Sequence, residues 1–401
     1  MKISNNVSSM KESPSVLAAE LARQLKAEGK TIFDFTIGQP DFDTPDNIKK
    51  AAISAIEAGE TKYTPVNGLP VLRDAIRQAF QRKYDIEVTD RHITVGGGGK
   101  QVIFAALMAT LNAGDEVIIP TPYWVSYPDM VHVNNGTPVI IETSEAQRFK
   151  VTAAQLEQSI TPRTRWVILN IPSNPTGMVY DEKELGALAE VLRKHPDILV
   201  MIDAIYDGIW FKEGPLPSLL SVAPELKDQI FFVDGVSKRY AMTGWRLGYG
   251  IGPEPLIKAI NKLQSQMASC PSSISQHAAA AALNGVDDDF VDKSVAVYRQ
   301  RRDLACQKIN TITGLSCLTP DGAFYIYVNC QALMGKRTPG GGVIESDFDV
   351  VRYLLEQAGV ATIQGEAYGL SPYFRMSFAT STEVIEEGCD RIARAVKALT
   401  D

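Results

Sequence analysis

From about residue 46 the chain alternates amphipathic stretches with short, wholly apolar runs, and that rhythm predicts helices and strands in turn. The runs are Val117 to Pro120, Pro138 to Glu142, Arg165 to Asn170, Leu199 to Asp203, Ile230 to Asp234 and Leu247 to Ile251. Strands that are apolar throughout suit a sheet covered by helices on both faces, which predicts an α/β fold. Asp181 can cap a helix whose Leu185, Leu188, Ala189 and Leu192 fall on one face, the usual crossover of a parallel unit. Upstream, Val16 to Lys26 carries an apolar helical stripe that Gly29 ends, and a strand is expected over Thr31 to Ile37. The turn-rich Gly38-Gln-Pro-Asp-Phe-Asp-Thr-Pro45 follows.

Beyond about residue 290 the pattern changes. A charged helix from Asp292 to Lys308 leads to a strand from Ala323 to Asn329, a Gly-rich loop at 335–343 and a helix over 347–357. Strands over 360–363 and 373–379 and a final helix complete a smaller α+β domain. A chain of 401 residues, 45% of them apolar, exceeds one ordinary core, so two domains are expected. The net charge of -7 and the absence of any basic run argue against binding nucleic acid or anionic lipid. Five scattered cysteines are poor material for a disulfide framework, no stretch is long enough for a membrane span, and Met1 to Ser8 lacks the apolar core of a signal peptide. These features together predict a cytoplasmic enzyme. His92, His132, His195 and His277 have no metal-ligand spacing, and Asp287-Asp-Asp289 reads as a solvated turn, so no metal is expected.

Chemistry concentrates at predicted strand ends. Lys238 follows the strand Ile230 to Asp234, where its amine could form an imine with an aldehyde, and Arg246 on the turn beyond could hold an anionic group of the same molecule. Pyridoxal phosphate carries both groups. The run Val95-Gly-Gly-Gly-Gly-Lys-Gln101 leads from a strand into an apolar helix over Val102 to Leu111; it suits either a tight turn or a phosphate at a helix N-terminus. Asp203 ends an apolar run that would bury its carboxylate, which then needs a cation such as a pyridinium N–H, or serves only to cap the next element. Arg375, in the apolar strand Tyr373 to Ala379, needs an anionic partner if buried, and its fork suits a carboxylate. Asn174 in Pro172-Ser-Asn-Pro-Thr-Gly177 and Trp124 in Pro120-Thr-Pro-Tyr-Trp-Val-Ser-Tyr127 also follow strand ends, where α/β folds bind ligands.

The stretch Gly235-Val-Ser-Lys-Arg-Tyr-Ala-Met-Thr-Gly-Trp-Arg-Leu-Gly248, with the motifs above, resembles the class I and II aminotransferases across residues 38 to 375. The resemblance implies the fold type I architecture: a large domain over residues 46–290 with a mostly parallel seven-stranded sheet, and a small domain made of residues 1–45 together with 291–401. It implies pyridoxal 5'-phosphate bound through Lys238 as an aldimine, its phosphate held by the N–H groups of Gly99 and Lys100, by Ser237 and by Arg246. Asp203 would meet the ring nitrogen, Tyr206 the 3-oxygen and Trp124 the ring face. Asn174 would touch both ring oxygen and substrate. Arg375 and the backbone of Gly38 would hold the substrate α-carboxylate, and Tyr63 would reach the phosphate of a neighbouring subunit in a homodimer. This chain has Ala204 where the family usually has Glu after the Asp.

Several motifs look most like the bacterial aspartate aminotransferases of the aspartate/prephenate subgroup. That likeness implies transfer of an amino group from L-aspartate to 2-oxoglutarate by a ping-pong route, with Lys100, Ser13 and Ser15 near the distal carboxylate and Lys11 where prephenate-active members carry a Lys. Pro14 departs from the subgroup and could relax the preference toward aromatic or other side chains, and the subgroup also raises prephenate-type partners. A lyase of the same fold is the alternative.

Overall fold

The computed structural model describes residues 1–8, 10, 14–285 and 288–401. A short strand β1 (Phe33–Asp34) precedes seven strands that form one sheet: β2 (Ile93–Gly96), β3 (Glu116–Pro120), β4 (Thr137–Ile141), β5 (Thr164–Asn170), β6 (Leu199–Asp203), β7 (Ile230–Gly235) and β8 (Gly248–Ile251). Their order is β2-β8-β7-β6-β5-β3-β4, parallel except that β8 runs antiparallel to both neighbours.

Successive side chains along a strand point to opposite faces, and here both faces are dry. Val117, Ile119, Trp166, Ile168, Met201, Phe231 and Val233 pack with Val102, Ile103 and Ala106 of the helix Gly99–Thr110 and with Ile257 and Ile260 of the helix Glu254–Met267. Ile118, Val167, Leu169, Val200, Ile202 and Phe232 face the other way, onto Leu72, Ile76 and Phe80 of the helix Pro70–Tyr84 and Leu185 and Leu188 of the helix Glu182–Leu192. Each such aliphatic side chain contributes about 1.5–3 kcal/mol of transfer free energy. Asp181 caps the last of these helices, its carboxylate accepting from the Glu184 N–H at 2.8 Å.

A smaller domain follows the long helix Asp288–Asn310, built on β9 (Ser316–Cys317), β10 (Tyr325–Asn329), β11 (Val360–Ala361), β12 (Ile363–Gln364) and β13 (Tyr373–Ser377). Its antiparallel sheet runs β12-β13-β10-β9, while β1 pairs in parallel with β11, so the start of the chain packs onto its end. Several expected strands are shorter than predicted, among them Ala323 to Asn329, which begins at Tyr325, and 373–379, which ends at Ser377. The 31–37 strand is reduced to Phe33–Asp34: Phe33 and Phe35 donate to the Gly359 and Ala361 carbonyls at 2.8 and 2.9 Å, and the Asp34 carboxylate then turns back to accept from the Thr36 N–H and hydroxyl at 3.0 and 2.6 Å. The 360–363 strand splits at Thr362, its first half pairing with β1 and its second with β13. Similarly, the helix over 347–357 is α-helical only through Tyr353 and ends in a π turn over Leu354–Ala358.

Candidate active site

A cleft of about 630 Å3 opens at the carboxyl ends of β5, β6 and β7, closed from the other side by residues 34–39 and by Arg375 of β13. The crevice at the carboxyl edge of an open α/β sheet is where such folds bind ligands.

One end of the cleft is built for an anion. The helix Gly99–Thr110 starts after Gly98, whose φ of 97° puts it in the left-handed region. A Cβ at Gly98 would lie 2.7 Å from Arg246 Nη2, and one at Gly248 would lie 2.2 Å from the Gly99 nitrogen, so the glycines let guanidinium and helix end approach. Arg246 is held there by donating to the Thr243 and Gly97 carbonyls at 3.0 and 3.4 Å. The first N–H groups of a helix have no intrahelical acceptor and carry the positive end of its dipole. Gly99 and Lys100, beside Arg246 and Ser237, therefore form a cradle suited to a phosphate.

Lys238 stands at the centre, half-buried, its amine donating to the Gly38 carbonyl. Burial pushes its pKa down to about 8, and the cations of Arg375 and Arg246 push in the same direction. Beneath the cleft, the buried Asp203 accepts from Tyr127 Oη at 2.6 Å and from the Ile205 N–H at 3.2 Å. Burial raises its pKa, opposed by those two hydrogen bonds and by Lys238. Tyr206, in the turn after β6, pairs its hydroxyl with that of Tyr325 at 2.8 Å.

The opposite end holds a second cation. Arg375 is 3% exposed and donates to Asn174 Oδ1 at 3.1 Å and to the Thr36 carbonyl at 2.7 Å. Its guanidinium lies 4.3 Å from the Tyr325 ring centroid, and its Nε has no acceptor. Among the described residues no carboxylate pairs with it, which makes it a buried fork awaiting an anion. Asn174 is fixed by its own N–H donating to Asn170 Oδ1 at 2.6 Å, and Asn170 Nδ2 in turn donates to the Asp203 carbonyl at 2.9 Å. Lys100 Nζ sits 4.7 Å over the Trp124 ring, its pKa lowered by burial and by Arg246.

Thus Gly38, Gly99, Lys100, Trp124, Asn174, Asp203, Tyr206, Ser237, Lys238, Arg246 and Arg375 all line one cleft. Tyr63 does not; it is 90% exposed on the surface of the single chain. Lys11 and Ser13 lie outside the described residues, and Ser15 falls in the helix Pro14–Ala27. Sequence reasoning missed Tyr127, Asn170 and Tyr325. Tyr127 closes the Pro120 to Tyr127 motif, but Asn170 and Tyr325 sit in apolar strands, where a polar side chain reads as an ordinary edge residue.

A lysine of lowered pKa between two arginines, above a buried carboxylate with no cation at hydrogen-bond distance among the described residues, gives one cleft a nucleophile and two places suited to anionic groups. The chain belongs to the aminotransferase class I and II family, which it matches over residues 30–392, and it is an aminotransferase. It is 48% identical over 392 residues, 98% of either chain, to a probable aspartate/prephenate aminotransferase of Rhizobium leguminosarum. Among solved structures it is similar to the aspartate aminotransferase from Rhizobium meliloti, with TM-score 0.97, 46% identity and all of both chains covered. It also resembles the Thermus thermophilus aspartate aminotransferase solved with maleate, at TM-score 0.92 and 36% identity over 98% of this chain and all of that one.

Proposed function

We propose that the protein uses pyridoxal 5'-phosphate to transfer the amino group of L-aspartate to 2-oxoglutarate in two half-reactions. The observation that carries the reading is the placement of Arg375: a buried guanidinium with an unused Nε, facing the same cleft as Lys238 and the Arg246 cradle. The residues fit the cofactor. A Cβ at Gly98 or Gly248 would fill the phosphate cradle, and Asp203 is a buried acid that lacks a protein cation at hydrogen-bond distance among the described residues.

When bound, the cofactor supplies an electrophilic carbon and a ring that accepts the electron pair left when the substrate Cα–H bond breaks. Gly99, Lys100, Ser237 and Arg246 hold its phosphate, and Asp203 holds the proton on its ring nitrogen. Arg375 and Asn174 orient the substrate α-carboxylate, so that the Cα–H faces Lys238. With its pKa pushed down to about 8, Lys238 has a useful fraction of free amine near neutral pH, which lets Nζ act as nucleophile and then carry the proton from Cα. Lys100, whose Nζ lies over Trp124 in the cleft, supplies a cation for a second carboxylate, a reading that favours four- and five-carbon diacids. The Thermus relative was solved with maleate, itself a diacid. By the subgroup resemblance Ser13 and Ser15 serve the same distal group, and Lys11 a prephenate-type partner.

The exposed Tyr63 supports a homodimer in which each subunit completes its neighbour's phosphate site. Residues 46–290 form the cofactor-holding domain, and residues 1–45 with 291–401 form the smaller one. Five free cysteines suit a cytoplasmic setting, and among the described residues no helix is long and apolar enough to cross a membrane. The decisive experiment is a panel of amino donors with 2-oxoglutarate in a coupled assay. Aspartate should rank among the best donors, and a rank among the worst refutes the assignment. The aspartate/prephenate naming of the Rhizobium leguminosarum relative favours prephenate as a second acceptor, tested by supplying it with aspartate.

A further inference from the structure

Tyr127 begins the helix Tyr127–Val133, three residues after Trp124, and is 2% exposed. It stays out of the cleft lining, its ring edge-on to Trp124 at 5.3 Å between centroids. Its hydroxyl reaches Asp203 Oδ2 at 2.6 Å, the length of a strong hydrogen bond to a charged acceptor. Two hydrogen bonds thus meet the Asp203 carboxylate from different elements: Tyr127 on Oδ2 from a helix, and the Ile205 N–H on Oδ1 from the turn after β6.

We propose that Tyr127 is a positioning residue that sets how strongly Asp203 holds the ring-nitrogen proton of the bound cofactor. The inference rests on the cofactor reading above. A carboxylate that accepts a hydrogen bond is a weaker base, because the donor shares its charge. Burial and the nearby Asp203 keep the Tyr127 phenol well above its usual pKa, so the proton stays on the tyrosine and the direction of donation is fixed. The other groups bearing on Asp203 are Lys238, which favours its charged form, and the Tyr206 hydroxyl, whose own ionisation Asp203 opposes. Lys238 in turn feels Arg375, Arg246 and Lys100. Removing the Tyr127 hydroxyl concentrates charge on Asp203, neutralises the ring nitrogen more fully and makes the cofactor-bound Lys238 nitrogen less acidic.

The test is a pH titration of the visible absorption band of the holoenzyme, which follows that nitrogen without turnover. Tyr127→Phe should raise the crossover pH by about half a unit to one unit. Site-specific 3-fluorotyrosine at 127, a more acidic phenol and stronger donor, should lower it, and this second variant serves if the first does not fold. In an Asp203→Asn background the Phe substitution should produce no further shift. An unmoved crossover, or the same shift with and without the Asp203 charge, overturns the role of Tyr127 while leaving the cofactor assignment intact. A parent protein that shows no visible band with pyridoxal phosphate overturns both.

Discussion

Asp203 and Asp207 lie four residues apart and are both fully buried, yet they have opposite surroundings. Asp207 sits between two cations: Lys83 donates to its Oδ2, and Arg239 Nη2 donates to its Oδ1 at 2.9 Å. Burial pushes the Asp207 pKa up, but Arg239 and Lys83 outweigh it and hold the carboxylate below its usual range. Among the described residues Asp203 receives hydrogen bonds from a phenol and an amide, with Lys238 acting at a distance, and burial wins, so its pKa rises. The interior tolerates a buried charge when it is paired or when a ligand will pair it. Asp207 is the first case, tying the helix Pro70–Tyr84 and the residue after Lys238 to the turn that carries Tyr206. On the cofactor reading proposed above, Asp203 is the second.

The largest break should come at Lys238, which bears on Asp203 across the cleft. Lys238→Ala removes both nucleophile and proton carrier, and turnover in a donor assay should fall by roughly 10^4-fold or more. Retained turnover would sink the assignment. The two aspartates should then separate cleanly. Asp203→Asn should lower turnover by about 10^2-fold to 10^3-fold while leaving stability within about 1 kcal/mol of the parent or above it. Asp207→Asn leaves two half-buried cations without their shared carboxylate and should cost about 2–4 kcal/mol in denaturant unfolding. Equal losses of stability from the two variants would erase the distinction.

The distinction itself could not be read from the sequence. Asp203 closes an apolar run, and that alone announced a buried carboxylate, but whether a cation waits nearby depends on Lys83 and Arg239, remote in sequence and brought in by packing. The sheet was legible because its strands are apolar on both faces. For the same reason its one reversed strand was not: Gly248–Ile251 reads alike in either direction, and the antiparallel pairing with both neighbours is set by the connections. The lysine and the two arginines were legible as charged groups at strand ends or in an apolar strand, while the glycine turn, open to two readings by itself, took its role from the resemblance to the family. Tyr127, Asn170 and Tyr325 act by hydrogen bonds between distant strands and turns, which no local pattern encodes.

A smaller effect probes the Asp207 side alone. Gly208 has no side chain where Arg239 crosses it, and a Cβ there would fall 2.4 Å from Arg239 Nε and 2.9 Å from its Cβ. Gly208→Ala should therefore push the guanidinium off Asp207 and cost about 1–3 kcal/mol in thermal or denaturant unfolding. Pairing it with Arg239→Met should recover part of the loss, because the displaced charge is then gone. If Gly208→Ala is neutral, Arg239 is freer than its two contacts suggest.

The smallest effect is a pH dependence of the cofactor-free protein. Lys238 keeps its proton up to about 8 in the folded chain against 10.5 for an ordinary lysine. Between those values the unfolded chain binds the extra proton, so stability should rise with pH across that window. Below about 8 both states are protonated, and the crowded cation imposes its full cost. Replacing Lys238 with Met should then stabilise the cofactor-free protein at neutral pH, less the attraction that Asp203 loses. The advantage should shrink as pH climbs from about 8 toward 10.5. Denaturant unfolding of both proteins at a series of pH values measures the gap. A gap that widens with pH would mean that Asp203, and not burial together with the neighbouring arginines, governs the lysine.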